Sequence, residues 1–81
     1  MQVISVKNKK LVKAVGERIR QLRLELAISQ EELANEADIP LSQIGRIERG
    51  ETNPTISTLF VISEALKIDL KTLFDFKNKS K

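Results

Sequence analysis

Residues 29–48 read SQEELANEADIPLSQIGRIE, and this stretch predicts two short helices joined by a tight turn. Ser29 followed by a glutamate three positions later is a capping box, in which each side chain satisfies a backbone amide of the other residue. It predicts a helix over about residues 30–37. Pro40 ends that helix and suits the first turn of the next one. The second helix is therefore predicted over about residues 41–48.

Helical periodicity continues on both sides of this pair. Further helices are predicted over about residues 9–26, 56–66 and 70–75, because apolar residues recur there at steps of three and four. The side chains predicted to face the core are Leu11, Val15, Ile19, Leu22, Leu26, Leu33, Ala34, Ala37, Ile44, Ile47, Ile56, Leu59, Ile62, Leu66, Leu70, Leu73 and Phe74.

The same pattern divides the chain into three segments. They are an N-terminal arm over residues 1–8, a helical domain over residues 9–75 and a basic tail over residues 76–81. Residues that cap helices stand before the first, fourth and fifth helices, at Asn8, Thr55 and Asp69. Five short helices with short connections predict an all-α, compact domain.

The composition excludes several classes of function. The 81 residues include no cysteine and no histidine, so disulfides, thiolate metal sites and the commonest general base are absent. Carboxylates are then the only candidate acid–base groups, and so short a chain leaves no cleft for them. We therefore expect neither an enzyme nor a bound metal, cofactor or small-molecule ligand. No apolar run approaches the roughly 18 residues of a membrane span, so a cytoplasmic protein without membrane contact is expected.

Charge is unevenly distributed along the chain, whose formal net charge is +3. Residues 1–25 carry seven basic and two acidic side chains, whereas residues 26–40 carry four acidic and no basic ones. Residues 54–81 are again basic, with five lysines against three carboxylates. Two basic regions around an acidic one suit a polyanion that is contacted on one face, but ordinary solubility explains the charge equally well.

The predicted helix over residues 41–48 has a face that suits DNA. Two short helices joined by a turn of three or four residues form a helix-turn-helix. At about 100° per residue, Ile44 and Ile47 of the second helix point to the core. The opposite side carries Ser42, Gly45, Arg46 and Arg49, with Leu41 and Gln43 on its flanks. An arginine there can donate two hydrogen bonds to guanine in the major groove. The alternative is a solvated surface face.

Three motifs together resemble the Cro and lambda-repressor-like (Xre-type) family of helix-turn-helix DNA-binding domains. They are Ser-Gln-Glu-Glu-Leu-Ala, Ile-x-x-Ile-Glu-x-Gly and Asn-Pro-x-Ile-x-Thr-Leu, which begin at residues 29, 44 and 53. The resemblance runs from Gly16 to Phe74 and implies a five-helix, lambda-repressor-like fold. It also implies a regulator of transcription, with repression as the expected mode. Where family members usually end the first, second and fourth helices with glycine, this chain has Ala27, Asp38 and Lys67.

The resemblance assigns roles to the two motif helices and to the loop that follows them. The residues implied to contact bases are Leu41, Ser42, Gln43 and Arg46. The residues implied to contact phosphates are Gln30, Arg49, Thr52, Asn53 and Thr55. An anion near Thr55 also has a physical reason, because helix N-termini attract anions. Arg23 and Glu48 each neighbour an inward-facing residue, and the family often pairs these positions, so an ion pair is predicted between them.

Two classes of function remain open. The first is a regulator that binds double-stranded DNA as a symmetric homodimer, since one recognition helix reads too few base pairs alone. Its interface is predicted in the fourth and fifth helices, with contacts from Phe60, Val61 and Phe76. A rival arrangement makes Phe60 and Phe76 core residues and pairs the subunits through the Val3-Ile4-Val6 arm. The second class is a protein-interaction module, such as an antitoxin that sequesters a toxin protein.

Overall fold

The computed structural model describes residues 8–76, and this part of the chain contains five α-helices joined by short loops. They are α1 (Lys9–Glu25), α2 (Gln30–Ala37), α3 (Leu41–Glu48), α4 (Ile56–Ala65) and α5 (Leu70–Leu73). These residues contain no strand, so the predicted all-α, five-helix fold is confirmed. None of the five helices has the length and hydropathy needed to span a bilayer. Residues 1–7 of the predicted arm and residues 77–81 of the predicted tail lie outside the described part.

Side-chain caps begin four of the five helices. In the capping box of α2, the Ser29 hydroxyl accepts from the Glu32 N–H at 2.9 Å, and the Glu32 carboxylate accepts from the Ser29 N–H at 2.7 Å. Pro40 begins α3 without a side-chain hydrogen bond. The other predicted caps are confirmed as well, with Asn8 for α1, Thr55 for α4 and Asp69 for α5.

Four of the helices are followed by a residue with left-handed backbone geometry. One of these residues is Gly50 (φ 74°). The other three occupy the positions where family members usually have glycine; they are Ala27 (φ 59°), Asp38 (φ 60°) and Lys67 (φ 64°). A residue with a side chain is less stable in this geometry by roughly 1–2 kcal/mol.

The residue after each left-handed position offsets part of this cost. Its N–H donates to a carbonyl five positions earlier, as Ile28 does to Arg23 at 3.2 Å, which is the Schellman arrangement. The corresponding residues after α2 and α4 are Ile39 and Ile68. All three isoleucines are half-buried and pack against the core, so each helix end is anchored by apolar contact.

The core lies among the five helices, each of which packs against two others. α1 packs against α3 and α5, whereas α2 packs against α3 and α4. The buried cluster consists of Val15, Ile19, Leu22, Leu33, Ala34, Ala37, Ile44, Ile47, Leu59, Ile62, Leu66 and Leu73. All twelve were predicted to face the core, so the periodicity identified the interior correctly.

The prediction was wrong for four further side chains. Leu11, Leu26, Ile56 and Phe74 are exposed, with Ile56 the most exposed at 67%. Leu11 and Ile56 lie in the first turn of a helix, and Leu26 and Phe74 directly follow the last turn of one. At these helix ends no neighbouring helix covers the side chain. In α1 the buried position near the start belongs to Val12 instead.

A close approach between α1 and the end of α3 depends on Gly16. A Cβ atom at this position would collide with the Ile47 carbonyl oxygen and lie 2.8 Å from the Glu48 carbonyl oxygen. Gly50 makes a second close approach, because a Cβ there would lie 3.1 Å from the Lys13 Cα. The two glycines therefore set the distance between α1 and the C-terminal end of α3.

We expect Gly16→Ala to lower the free energy of unfolding by about 1–3 kcal/mol, the usual effect of overpacking. The loss arises although alanine favours a helix over glycine by about 1 kcal/mol. Urea denaturation measures it, with Gln21→Ala at an exposed position of α1 as the control. A Gly16→Ala variant at least as stable as the wild type would show that α1 and α3 are free to separate.

Candidate nucleic-acid interface

Arg23 of α1 and Glu48 of α3 form a buried ion pair. The Arg23 Nε donates to the Glu48 Oε2 at 2.7 Å, and the Arg23 Nη2 donates to the Glu48 Oε1 at 3.0 Å. The two side chains are only 9% and 2% exposed. The hydrogen bonds to Glu48 raise the pKa of the Arg23 guanidinium above its ordinary value, although burial acts in the opposite direction. The structure thus brings together the two residues for which an ion pair was predicted.

Two further hydrogen bonds extend this pair to the start of α2. The Arg23 Nη1 donates to the Ile28 carbonyl at 2.9 Å, and the Gln30 Nε2 donates to the Glu48 Oε1 at 2.9 Å. We call Arg23, Ile28, Gln30 and Glu48 the buried fork. Because it includes atoms from α1, α2, α3 and the loop between α1 and α2, it fixes the first helix of the motif against the second.

The buried fork also orients Gln30, a predicted phosphate contact. This side chain is half-buried at the first residue of α2. Its Nε2 carries two hydrogens, and one of them is donated to Glu48. The second hydrogen of Nε2 is the one that can reach a phosphate, since the amide oxygen cannot donate.

The outer face of α3 presents most of the predicted base contacts to solvent. Leu41, Ser42 and Arg46 are exposed, whereas Gln43 is half-buried. The only acidic residue of α3 is Glu48, which the buried fork removes from the surface. Two almost fully buried side chains hold the opposite face in the core, those of Ile44 and Ile47. The exposed face therefore combines an apolar side chain, a hydroxyl group and a positive charge, from Leu41, Ser42 and Arg46 respectively.

Arg49, directly after α3, forms an exposed ion pair with Glu51. The Arg49 Nε donates to the Glu51 Oε2 at 2.9 Å, and the Arg49 Nη2 donates to the Glu51 Oε1 at 3.2 Å. The hydrogen bonds from Arg49 hold the pKa of the Glu51 carboxyl below its ordinary value. The Glu51 carboxylate therefore balances the charge of Arg49, a predicted phosphate contact.

The loop between α3 and α4 holds the remaining predicted phosphate contacts. Thr52 is half-buried and Asn53 is exposed. The Thr55 hydroxyl accepts from the Thr58 N–H at 3.1 Å and donates to the Thr58 hydroxyl at 3.0 Å. Because this hydroxyl is engaged in capping α4, the backbone N–H of Thr55 is the better candidate for a phosphate.

Arg18 has a structural position that the sequence analysis missed. It was counted with the basic residues of the N-terminal region, yet only 7% of it is exposed. Its Nη2 donates to the Thr72 carbonyl at 3.0 Å and thereby joins α1 to α5. The helical period could have revealed this, because Arg18 lies three residues after Val15 and four before Leu22. With Arg18 and Arg23 both buried, the exposed basic surface is smaller than the charge count implied.

The geometry is accompanied by clear similarity to known proteins. A sequence model of the helix-turn-helix family matches residues 19–73. The chain belongs to the helix-turn-helix family. Control protein C.BamHI of Bacillus amyloliquefaciens is 42% identical over 62 residues, which cover 75% of this chain and 76% of that protein. The HTH-type transcriptional regulator SinR of Bacillus subtilis is 39% identical over 67 residues, covering 82% of this chain and 60% of SinR.

A solved structure supports the same assignment. The crystal structure of the restriction-modification controller protein C.AhdI from Aeromonas hydrophila matches with a TM-score of 0.77 and 34% identity. The match covers 83% of this chain and 100% of that one. In this helix-turn-helix protein the two helices of the motif are α2 and α3.

Removing one partner of the buried fork should destabilise the domain strongly. We expect Arg23→Met to cost about 3–5 kcal/mol of unfolding free energy, because the Glu48 carboxylate is then buried without a counter-charge. The double variant with Glu48→Met should recover a large part of this loss, since the unpaired charge is gone. Urea denaturation of the two single variants and the double variant measures the coupling.

Arg20→Met provides the control, because Arg20 is an exposed arginine of the same helix. It should change the unfolding free energy by no more than about 0.5 kcal/mol. Additive effects of Arg23→Met and Glu48→Met would contradict the coupling between the two charges.

Proposed function

We propose that this helix-turn-helix protein binds duplex DNA sequence-specifically and regulates transcription. In this proposal α3 lies in the major groove. The observation that carries it is the exposed face of α3, which bears Arg46 and Ser42 without an exposed carboxylate on the helix. The opposite face is fixed by buried isoleucines and by the buried fork, so the exposed side chains are presented on a rigid element.

Each exposed side chain of α3 suits a particular base feature. Arg46 can donate two hydrogen bonds to the O6 and N7 of guanine, and Ser42 can bond several base edges. Leu41 offers an apolar contact to a thymine methyl group. Gln43, at the margin of the face, can pair with adenine. Phosphates on either side would be held by Gln30, Thr52, Asn53 and the N–H of Thr55.

The names of the relatives support a regulatory role. They are called control protein and transcriptional regulator, and regulation of this kind needs no cofactor. Repression is the simplest mode, because a protein bound over a promoter excludes other proteins from it. The rival role as an antitoxin predicts binding to a partner protein. The two roles overlap where an antitoxin also binds DNA, and a preference of the purified chain alone for one duplex favours the regulator.

A symmetric homodimer would place two copies of α3 on neighbouring turns of DNA. Of the predicted interface residues, Phe60 is exposed, whereas Val61 and Phe76 are half-buried and pack against the core. Ile56 lies one turn before Phe60 and is also exposed. We therefore propose that Ile56 and Phe60 form the centre of the interface. Val61 and Phe76, which pack against the core, would contribute only their exposed parts to it. The rival arm, Val3-Ile4-Val6, lies outside the described residues.

Arg46→Ala tests the proposed reading of bases. We expect this variant to lose about 1–3 kcal/mol of binding free energy for the preferred duplex, and much less for a scrambled duplex of the same length. Lys71→Ala is the matched control, because it removes the same charge from α5, which packs against α1 and α4. Fluorescence anisotropy at a fixed salt concentration measures both duplexes. If Arg46→Ala loses the same binding free energy for both duplexes, Arg46 contacts a phosphate and does not read a base.

Phe60→Glu tests the proposed dimer. We expect a folded monomer, because a charge would replace an exposed apolar side chain at the centre of the interface. Sedimentation of this variant is compared with that of a chain lacking residues 1–7, which should remain dimeric. If Phe60→Glu stays dimeric while the shortened chain becomes monomeric, the arm and not α4 pairs the subunits.

A further inference from the structure

The guanidinium of Arg49 lies over the middle of α3, although Arg49 itself follows the helix. A Cβ atom at Gly45 would lie only 3.0 Å from the Arg49 Nη1. Gly45 is buried even though it belongs to the outward side of α3, and the Arg49 side chain covers it. The absence of a side chain at position 45 thus lets Arg49 turn back along the helix toward the residues predicted to contact bases.

Glu51 holds this arrangement in place. Gly50, with its left-handed geometry, turns the chain so that the Glu51 N–H donates to the Arg46 carbonyl at 2.9 Å. The Glu51 carboxylate then accepts from the Nε and Nη2 of Arg49. These two contacts use one edge of the guanidinium. The remaining edge, formed by Nη1 and the second hydrogen of Nη2, lies along α3 beside Gly45 and has no hydrogen-bond partner among the described residues.

A phosphate contact fits this geometry poorly. The Glu51 carboxylate, which already accepts two hydrogen bonds from Arg49, repels a phosphate that approaches this guanidinium. A guanine fits better, because its O6 and N7 accept from the remaining edge of the guanidinium without displacing Glu51. Holding the guanidinium before DNA arrives also reduces the rotamer freedom that is lost on binding.

We propose that Arg49 reads a guanine in the major groove, and that Glu51 is the residue that positions it. This inference rests on the proposed function and adds a second guanine to the site, beside the one read by Arg46. Gly45 contributes to the same arrangement, since a Cβ atom there would press on the Arg49 Nη1 and shift the guanidinium by a few tenths of an ångström. Glu51 also lowers binding to unrelated DNA, because it cancels a charge that would otherwise attract phosphates.

Replacing the guanines of the preferred duplex one by one with 7-deazaguanine tests the proposal, since this base lacks the N7 acceptor. The duplex is first obtained by selection from a random pool. We expect wild-type affinity to fall about tenfold at each guanine that an arginine reads. At one of these guanines the replacement should leave the affinity of Arg49→Ala unchanged, and at another it should leave the affinity of Arg46→Ala unchanged.

Two variants test the positioning role separately. Glu51→Gln should lower the ratio of affinities for the preferred and a scrambled duplex about tenfold, the size of one lost base contact. Gly45→Ala should lower the same ratio without changing any charge. Glu17→Gln, at an exposed position of α1 outside the proposed dimer interface, is the control for the charge change, and it should leave the ratio unchanged.

The outcomes separate this inference from the proposed function. A wild-type protein that prefers no duplex would contradict the proposed function itself. If the wild type is selective but Arg49→Ala weakens both duplexes equally, Arg49 contacts a phosphate and the inference is wrong. If Glu51→Gln binds both duplexes more tightly by the same factor, the inference is also wrong, because Glu51 would then only compete with phosphates for Arg49.

Discussion

The buried fork around Arg23 and Glu48 is the interaction on which the geometry of the helix-turn-helix depends. A charged pair that is more than nine-tenths buried is stable only if its hydrogen-bonding groups are satisfied, and here Ile28 and Gln30 supply the additional contacts. Each of these contacts comes from a different segment. The requirement to satisfy the pair therefore fixes α1, α2 and α3 relative to one another. Apolar residues of equal volume would often be as stable, so the main contribution of the pair is orientation.

The same end of the molecule is constrained sterically by glycines. Gly16 allows the backbone of α1 to approach the last turn of α3, and Gly50 allows the following turn to approach Lys13. The Gly50 turn also brings Glu51 beside Arg49. Packing, the buried fork and this turn thus fix the backbone of one short helix, α3, and with it the positions from which the outward side chains extend. Such preorganisation is what a base-reading surface requires.

Much of the fold was predictable because it is encoded locally. The Ser29 capping box, the Pro40 break and the periodicity around Ile44 each depend on residues close in sequence, and the structure has all three. The left-handed geometry of Ala27 and Lys67 was anticipated from positions where relatives carry glycine. Local rules failed at helix ends, where periodicity places Leu11 and Ile56 on the inner face but no neighbouring element covers them.

The site was less predictable, because its decisive contacts join distant or irregular segments. The helical period is enough to place Arg18 on the inner face of α1, but its hydrogen-bond partner, the Thr72 carbonyl of α5, is 54 residues away. The ion pair between Arg49 and Glu51 depends on the turn at Gly50. The charge count alone gave Arg18 the same expected role as an exposed lysine.

Sequence-specific binding by α3 of a paired protein can be measured by selecting bound duplexes from a random pool with the full chain. We expect one enriched sequence with two-fold symmetry, whose half-sites are centred about 10 base pairs apart and each contain guanine. A pool that is bound without enrichment of any sequence, or that is not bound at all, would contradict this expectation.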